Sequence, residues 1–372
     1  MFDLELSDEQ QALREVLGDF AQRRLRPIGR ECDDERATPD DVLAQIHAFG
    51  ITGPPSGDGS RARHPTTLEY VLTAEELAFG DPGIAFAAFT SGAGAVLLAA
   101  CGSDEQRERC LPQLGAPDAR GSLLYFEGWG RGPSETESTA ARQRGIWVVN
   151  AEKFFVAHPV VADLSIVIAN DIEAGELRAY LFSGAPDGYV LGCDDRETPN
   201  SGLRAAHTGA VALRHLRVAP DDVLPASPTE LGRALARIRL AIAALAIGAA
   251  RAATEYAIAY AQERIAFGKP IASFQGVAFP LADADIAIDA ARLSVWATAT
   301  KIDRCDDPEE LEQATTLTVT RTCDIMQRVA RDAVQVLGGS GFIRDHPVER
   351  WWRAVVTLGS IDFDPLVNAV PV

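Results

Sequence analysis

Cysteine and histidine are both sparse in this chain, and neither is arranged for work. Cys32, Cys101, Cys110, Cys193, Cys305 and Cys323 are scattered with no CxxC spacing. A disulfide framework and a thiolate metal site are therefore not expected, and the six read as reduced, non-catalytic residues. The six histidines are dispersed, and no P-loop, zinc or Ser-His-Asp pattern emerges. His158 and His207, in or near strand-like segments, read as structural. Basic runs are missing too. Lys and Arg total 35 against 53 Asp and Glu, a net charge of −18. Nucleic-acid binding, which needs a basic surface to displace counterions, is not expected. The N-terminus, Met1-Phe-Asp-Leu-Glu-Leu-Ser7, lacks a basic region followed by an apolar run. No signal peptide is visible and a cytoplasmic protein is expected. The apolar stretch 83–101 contains Ser91, Gly92 and Gly94 and reads as a buried core helix, so no membrane span is expected.

What remains is an ordinary globular composition, 372 residues with 47% hydrophobic and 24% charged. That length is enough for several packed layers and a sizeable core. Ser7-Asp-Glu-Gln10 forms a capping box, and Leu13, Val16, Leu17 and Phe20 follow at helical spacing. Further helical patterns lie near 40–49, 67–79, 83–100 and 104–113, punctuated by Pro and Gly. Short β-branched or aromatic runs then appear at 145–150, 164–169, 179–182 and 210–213, reading as an antiparallel strand domain. From about 229 the pattern is helical again, in three long Ala- and Leu-rich segments. The order helices, strands, helices predicts an α+β protein with segregated layers. The expected parts are an N-terminal helical domain at 1–117, a β-barrel or sandwich domain at 118–226 and a C-terminal helical bundle at 227–372.

Two C-terminal segments carry the most specific signal. One is Arg264-Ile-Ala-Phe267-Gly-Lys-Pro-Ile-Ala-Ser-Phe-Gln275. The other is Gln335-Val-Leu-Gly338-Gly339-Ser-Gly-Phe-Ile-Arg-Asp-His-Pro-Val-Glu-Arg350. Taken alone, the first fits a helix–helix turn as well as it fits a ligand grip. An arginine there can fork onto phosphate oxygens, and an exposed aromatic offers a stacking face. The glycine pair permits close backbone approach. Together the two segments resemble the C-terminal signatures of the acyl-CoA dehydrogenase family, and the resemblance covers nearly the whole chain. It implies that family's architecture: an N-terminal helical domain, a middle antiparallel β domain and a C-terminal four-helix bundle. It implies FAD as cofactor, an acyl-CoA or acyl-carrier thioester as substrate, and an electron-transfer acceptor. By the same resemblance Arg264, Phe267, Gln275, Gln335, Gly338 and Gly339 grip the diphosphate and adenine side of a neighbouring subunit's FAD. Phe155 would lie against the flavin ring, and Arg239 would serve the substrate side. Glu349 and Arg350 read as structural.

Other positions depart from the family pattern. Where the family has a hydroxyl residue two positions past the ring aromatic, this chain has Ala157. The family's Thr-Glu-Pro loop becomes Phe126-Glu-Gly-Trp-Gly-Arg-Gly132-Pro, which loses a Thr at Phe126 and a Ser at Gly132. Each lost hydroxyl should weaken binding by about 0.5–1.5 kcal/mol if nothing compensates. The family removes the α proton of the thioester with a glutamate. An ungapped count places Asp362 there, followed by Phe363 and Asp364 in place of Gly and Thr. The family's alternative base position, just before the matching Arg239, is Ile238. The losses fall on contacts a subunit makes to its own flavin and substrate, while the contacts lent to a neighbour are kept. That asymmetry points to the non-base subunit of a heteromeric acyl-CoA dehydrogenase, partnered by a homologous subunit. Two alternatives stay open: a homo-oligomeric flavoenzyme with Asp362 as base, for which an ordinary surface aspartate is the competing reading, and a flavin-free scaffold of the same fold.

Overall fold

The computed structural model describes residues 5–53, 65–115, 120–128, 131, 135–160, 162–193 and 201–362. Phe363, Asp364 and Gly132 lie outside them.

Six helices open the chain. They are α1 (Asp8–Phe20), α2 (Gly29–Glu35), α3 (Asp40–His47), α4 (Thr67–Gly80), α5 (Pro82–Cys101) and α6 (Asp104–Leu114). Their ends are set by local chemistry. Ser7, Thr66 and Ser103 each close a capping box with Gln10, Glu69 and Gln106. Asp81 starts α5 by accepting from the backbone N–H groups of Gly83 and Ile84, both at 3.0 Å. A π-turn over Ala21–Leu25 continues α1, and neither it nor α2 is marked by the sequence pattern. The apolar helix α5 is long and hydrophobic enough to cross a membrane, yet 89% of its apolar window is buried inside the protein.

The strands are β1 (Gly121–Leu124), β2 (Thr139–Gln143), β3 (Ile146–Ala157), β4 (Leu164–Asp171), β5 (Glu176–Ser183), β6 (Tyr189–Cys193) and β7 (Thr208–Val218). They form one sheet in the order β1-β4-β2-β3-β7-β6, with β5 paired to β4. The sheet is mixed and not purely antiparallel. β1 runs parallel to β4 from Gly121↔Leu164 to Leu124↔Val167, and β2 meets the end of β4 in parallel at Thr139↔Asn170. Parallel neighbours need a crossover between them. Here β2 and β3 supply it between β1 and β4.

The bundle comprises α7 (Pro228–Glu263), the two-residue hairpin strands β8 (Ile265–Ala266) and β9 (Lys269–Pro270), α8 (Gln275–Ile302), α9 (Pro308–Leu337) and α10 (Val348–Leu358). The central helix α7 touches α4, α5, α8, α9 and α10. Its buried run Leu240–Ala250 is almost all Ala, Leu and Ile. Small side chains let the backbones approach. A Cβ added at Gly248 would lie 2.2 Å from the Glu75 carbonyl oxygen on α4. Beside that contact, Arg251 clasps Glu75 at 2.8 Å and Glu76 at 2.6 Å, Arg292 binds Glu75 and Arg14 binds Glu76. Four helices are thus tied through two carboxylates whose charges are fully shared among arginines.

Candidate functional site

Two regions collect the residues that the sequence marks. The first is an open groove at one end of the bundle. Helix α7 stops at Arg264, and the chain turns through Phe267 and Gly268, with φ of 52° and 80°. Two successive positive φ values between short strands make the tight hairpin turn that matches strand twist. Phe267 therefore projects outward, 96% exposed, with Phe274 edge-on at 6.1 Å. The Arg264 carbonyl accepts from Ile271 N at 2.9 Å, which fixes the hairpin against the helix end. The Arg264 guanidinium is exposed and has no ion pair among the described residues. Gln275 is the first residue of α8 and is likewise exposed.

Across the groove α9 ends at Leu337 and passes into a short 3₁₀ turn. Gly338 adopts φ 60°, ψ −134°, a conformation that favours glycine, and a Cβ built on Gly338 or Gly339 would meet nothing within 4 Å. The groove encloses about 430 Å³ and is lined by Tyr260, Arg264, Leu337, Gly338, Gly339 and Ser340, among others. Gln335 lies on the exposed side of the last turn of α9. The two sequence segments, separated by the whole of α8 and α9, thus converge on one surface. Tyr260 and Ser340 also line it, although the sequence pattern did not single them out.

The second region is interior, where the sheet meets α5 and α7. The segment after β1 carries Phe126 and Glu127. Phe126 packs against apolar residues of both adjoining cores, and its carbonyl accepts from Phe154 N at 2.8 Å. Glu127 is buried and accepts from Lys153 Nζ at 2.7 Å, from Ser138 Oγ at 2.6 Å and from Glu137 N at 2.7 Å. Burial pulls the Lys153 ammonium down to about 8, against the opposing pull of Glu127. The pair fixes the loop to β3, and Lys153 Nζ also donates to the Tyr125 carbonyl at 3.1 Å. Phe155 is half-buried, with φ 54° and its ring edge-on to Phe86 at 6.4 Å. Ala157 is buried.

Asp362 is not a surface residue. It is 3% exposed, and both its oxygens accept from Arg239, Oδ1 from Nε at 2.8 Å and Oδ2 from Nη2 at 2.9 Å. Arg239 is itself 1% exposed and donates a third bond to Thr316 Oγ1 at 2.6 Å. Ile238 beside it is buried among apolar neighbours. A cavity of about 170 Å³ lies alongside, walled by Leu231, Leu235, Arg239, Glu312 and Leu177, among others. Tyr125 packs in the same apolar cluster as Leu231, Leu235 and Ile238, and its hydroxyl has no hydrogen-bond partner among the described residues. Burial pushes that phenol upward, with Arg239 opposing and Asp362 and Glu312 reinforcing.

The fold combines a helical layer, a central sheet and an Ala-rich bundle, with an open Arg- and Gly-lined groove at the bundle end. Comparison with known proteins places this arrangement in a class of flavin-dependent oxidoreductases. Residues 7–117 match the N-terminal domain of acyl-CoA dehydrogenases, and residues 231–359 match the C-terminal domain. The "Probable acyl-CoA dehydrogenase YngJ" of Bacillus subtilis is 30% identical over 361 residues, covering 94% of this chain and 93% of that protein. The chain belongs to the acyl-CoA dehydrogenase family, FAD-dependent oxidoreductases that dehydrogenate acyl thioesters. The same fold is seen in butyryl-CoA dehydrogenase from Megasphaera elsdenii, at 24% identity and TM-score 0.82, covering 98% of this chain and 97% of that one. It recurs in the prolyl acyl carrier protein oxidase AnaB, at 21% identity and TM-score 0.83, with 98% and 97% covered.

Proposed function

We propose that this chain is the non-base subunit of a heteromeric acyl-thioester dehydrogenase. In this reading it lends one half of an FAD cradle to its neighbour and takes its general base from a homologous partner. The observation that carries the proposal is the clasp of Asp362 by Arg239. A general base must bring a free carboxylate oxygen within about 2.6–3.2 Å of the proton it removes. Both Asp362 oxygens are already held by one guanidinium. Pulling Asp362 away would strand a buried cation, at a cost of about 3–5 kcal/mol. The other position is Ile238, with no proton acceptor.

The groove residues fit the diphosphate and adenine side of FAD. Arg264 offers an unpaired fork for phosphate oxygens, Phe267 a stacking face, and Gly338 and Gly339 an open backbone. Gln275 and Gln335 offer amide donors and acceptors at the rim. When bound, the flavin supplies a hydride acceptor for the β carbon of the acyl group. Phe155 is assigned to the flavin-ring side and Arg239 to holding the inner wall of the substrate side. An electron-transfer acceptor would reoxidise the complex. An assembled neighbour is supported by an uncovered apolar stripe on α8, where Phe279, Ile286 and Leu293 recur every seventh residue and are 59%, 68% and 41% exposed. Phe267 and Phe342 add to that exposed surface.

The test is flavin content as a function of assembly. Purified alone, the chain should hold little FAD. Co-expressed with a homologous subunit, it should hold one FAD for each pair of subunits, with turnover of an acyl-CoA. A fully flavinated, active homo-oligomer would overturn the reading and return Asp362 to the role of base. A complex that binds neither FAD nor thioester would leave the scaffold.

A further inference from the structure

Helix α8 carries two apolar stripes on opposite faces. Leu281, Ala284, Ile288, Ala291 and Val295 are buried against the bundle. Phe279, Ile286 and Leu293 lie on the other side and are exposed. That outer line has a definite spacing. Phe279, Asp283, Ile286, Ala290, Leu293 and Ala297 follow one another at steps of four, three, four, three and four residues. This is the alternation of a coiled-coil seam, in which a second helix sets its side chains between those of the first. Ala290 and Ala297 leave room for close approach. Every position of the seam but one is apolar.

The exception sets the partner. Asp283 is exposed, lies three residues before Ile286 at the middle of the seam, and has no ion pair among the described residues. Helix α8 has two basic residues, and both are engaged. Arg292 binds Glu75 at 2.9 Å and also Asp289, and Lys301 binds Glu310 at 2.7 Å. On the adjoining helix α9, Arg328 and Arg331 are held by Asp324 and Asp332. Asp285 and Asp289, both exposed, add negative charge on α8 beside the seam. If a second copy packed antiparallel about Ile286, each helix would carry its Asp283 into an apolar contact with no cation on the facing helix to meet it. A single polar residue in a seam selects the partner in this way, at a cost in affinity. We infer that this face docks a helix of the homologous partner subunit, one with an apolar seam and a Lys or Arg placed to meet Asp283, and that Asp283 excludes a second copy of this chain. Phe279 follows Gln275 by one turn, so a helix seated on the seam brings the partner beside the groove assigned to the neighbour's flavin. The inference rests on the heteromeric reading above and names the contact that favours a heteromer over a homo-oligomer.

The probe is a basic counterpart made from this chain, Asp283→Lys, mixed with wild type and followed by sedimentation velocity. The mixture should pair at least about tenfold more tightly than either chain with itself, and added salt should weaken it. Asp283→Leu, which completes the apolar seam, should self-associate at least about tenfold more tightly than wild type. Ile286→Lys reports whether an association runs through α8 and should abolish each of these contacts. Asp283 and Ile286 are both exposed, so the variant chains should melt at the wild-type temperature. In the complex co-expressed with a homologous subunit, Ile286→Lys should separate the subunits, and Asp283→Leu should weaken their association by about tenfold by stranding the partner's cation. Wild type that self-associates through α8 as tightly as it pairs with Asp283→Lys overturns the inference and leaves the subunit reading in place. So does an Asp283→Leu chain no more associative than wild type, or a co-expressed complex that survives Ile286→Lys. A wild-type chain that pairs with Asp283→Lys yet forms no flavinated complex with a homologous subunit overturns the underlying reading, and the assignment of the partner with it.

Discussion

Arg239 and Asp362 meet side-on through two hydrogen bonds of 2.8 and 2.9 Å, across 123 positions of sequence. The pair joins the middle of α7 to the segment after α10, and neither member reaches solvent. A bidentate contact of this kind is strong in geometry but heavily desolvated, so its worth lies in keeping both charges satisfied.

The first prediction follows from that balance. Asp362→Asn keeps the side-chain volume but removes the charge that compensates Arg239. It should destabilise the chain by about 3–5 kcal/mol, as breaking one half of a buried pair does. Replacing both, as Arg239→Met with Asp362→Leu, should recover most of the loss, because no buried charge is then left over. Urea unfolding of the two single variants and the double variant checks this. A cost below about 1 kcal/mol for Asp362→Asn alone would mean that the side chain is free enough to serve as a base.

A second prediction concerns acid. The His47 ring is held between Thr52 Oγ1, 2.9 Å from Nδ1, and Ser91 Oγ, 3.2 Å from Nε2. Burial and, to a lesser degree, nearby His158 pull its pKa from 6.5 down to about 4. His158 is likewise lowered to about 4, by burial first and then by Arg120 and His207. A folded-state pKa below the unfolded one means that the unfolded chain binds protons first. The stability contributed by each neutral ring is therefore present above pH 6.5 and is lost as pH falls from there towards about 4. His47→Gln retains a donor and an acceptor but cannot titrate, so it should lose less stability than wild type between about pH 7 and about pH 4.5. Urea midpoints at the two pH values give the comparison. Identical acid losses in both proteins would remove His47 from the account.

The legibility of this fold varies with the range over which its information acts. Helix starts were readable because a capping box such as Ser7–Gln10 is written within four residues, and breaks such as Asp81-Pro-Gly83 are local. The π-turn at Ala21–Leu25 was not, since it differs from an α-turn by one step of hydrogen bonding and leaves the apolar period unchanged. The parallel pairing of β1 with β4 was hidden for a related reason. Alternation tells which face of a strand is buried, not which way its neighbour runs. The segments Arg264–Gln275 and Gln335–Gly339 stand out in the sequence only through their joint resemblance to the family's signatures, since the first alone fits a helix–helix turn as well; that Arg264, Gly338 and Gly339 share one groove is a fact of the fold. The burial of Asp362 was not legible, because it depends on a partner 123 positions away. The orphan Tyr125 hydroxyl, too, emerges only when α7 is laid against the sheet.

The last prediction tests the groove itself. The Arg264 guanidinium is exposed and free of ion pairs among the described residues, so Arg264→Lys removes no contact that the folded chain uses. It keeps the charge but replaces a planar fork with a point charge, which matches two phosphate oxygens less well. Gln335→Ala, on the exposed face of α9, removes an amide that no described residue engages. In the assembled complex both variants should weaken FAD binding by about five- to tenfold each, the scale of one charged or polar hydrogen bond, at unchanged melting temperature of the flavin-free chain. The effect of Arg264→Lys should shrink as ionic strength rises, because exposed charge pairs are screened, while that of Gln335→Ala should not. Fluorescence titration of stripped complex with FAD measures both. Unchanged affinity in the two variants would show that this surface does not hold the cofactor, and the assignment of Arg264, Phe267, Gln275, Gln335, Gly338 and Gly339 to a neighbour's flavin would fall together.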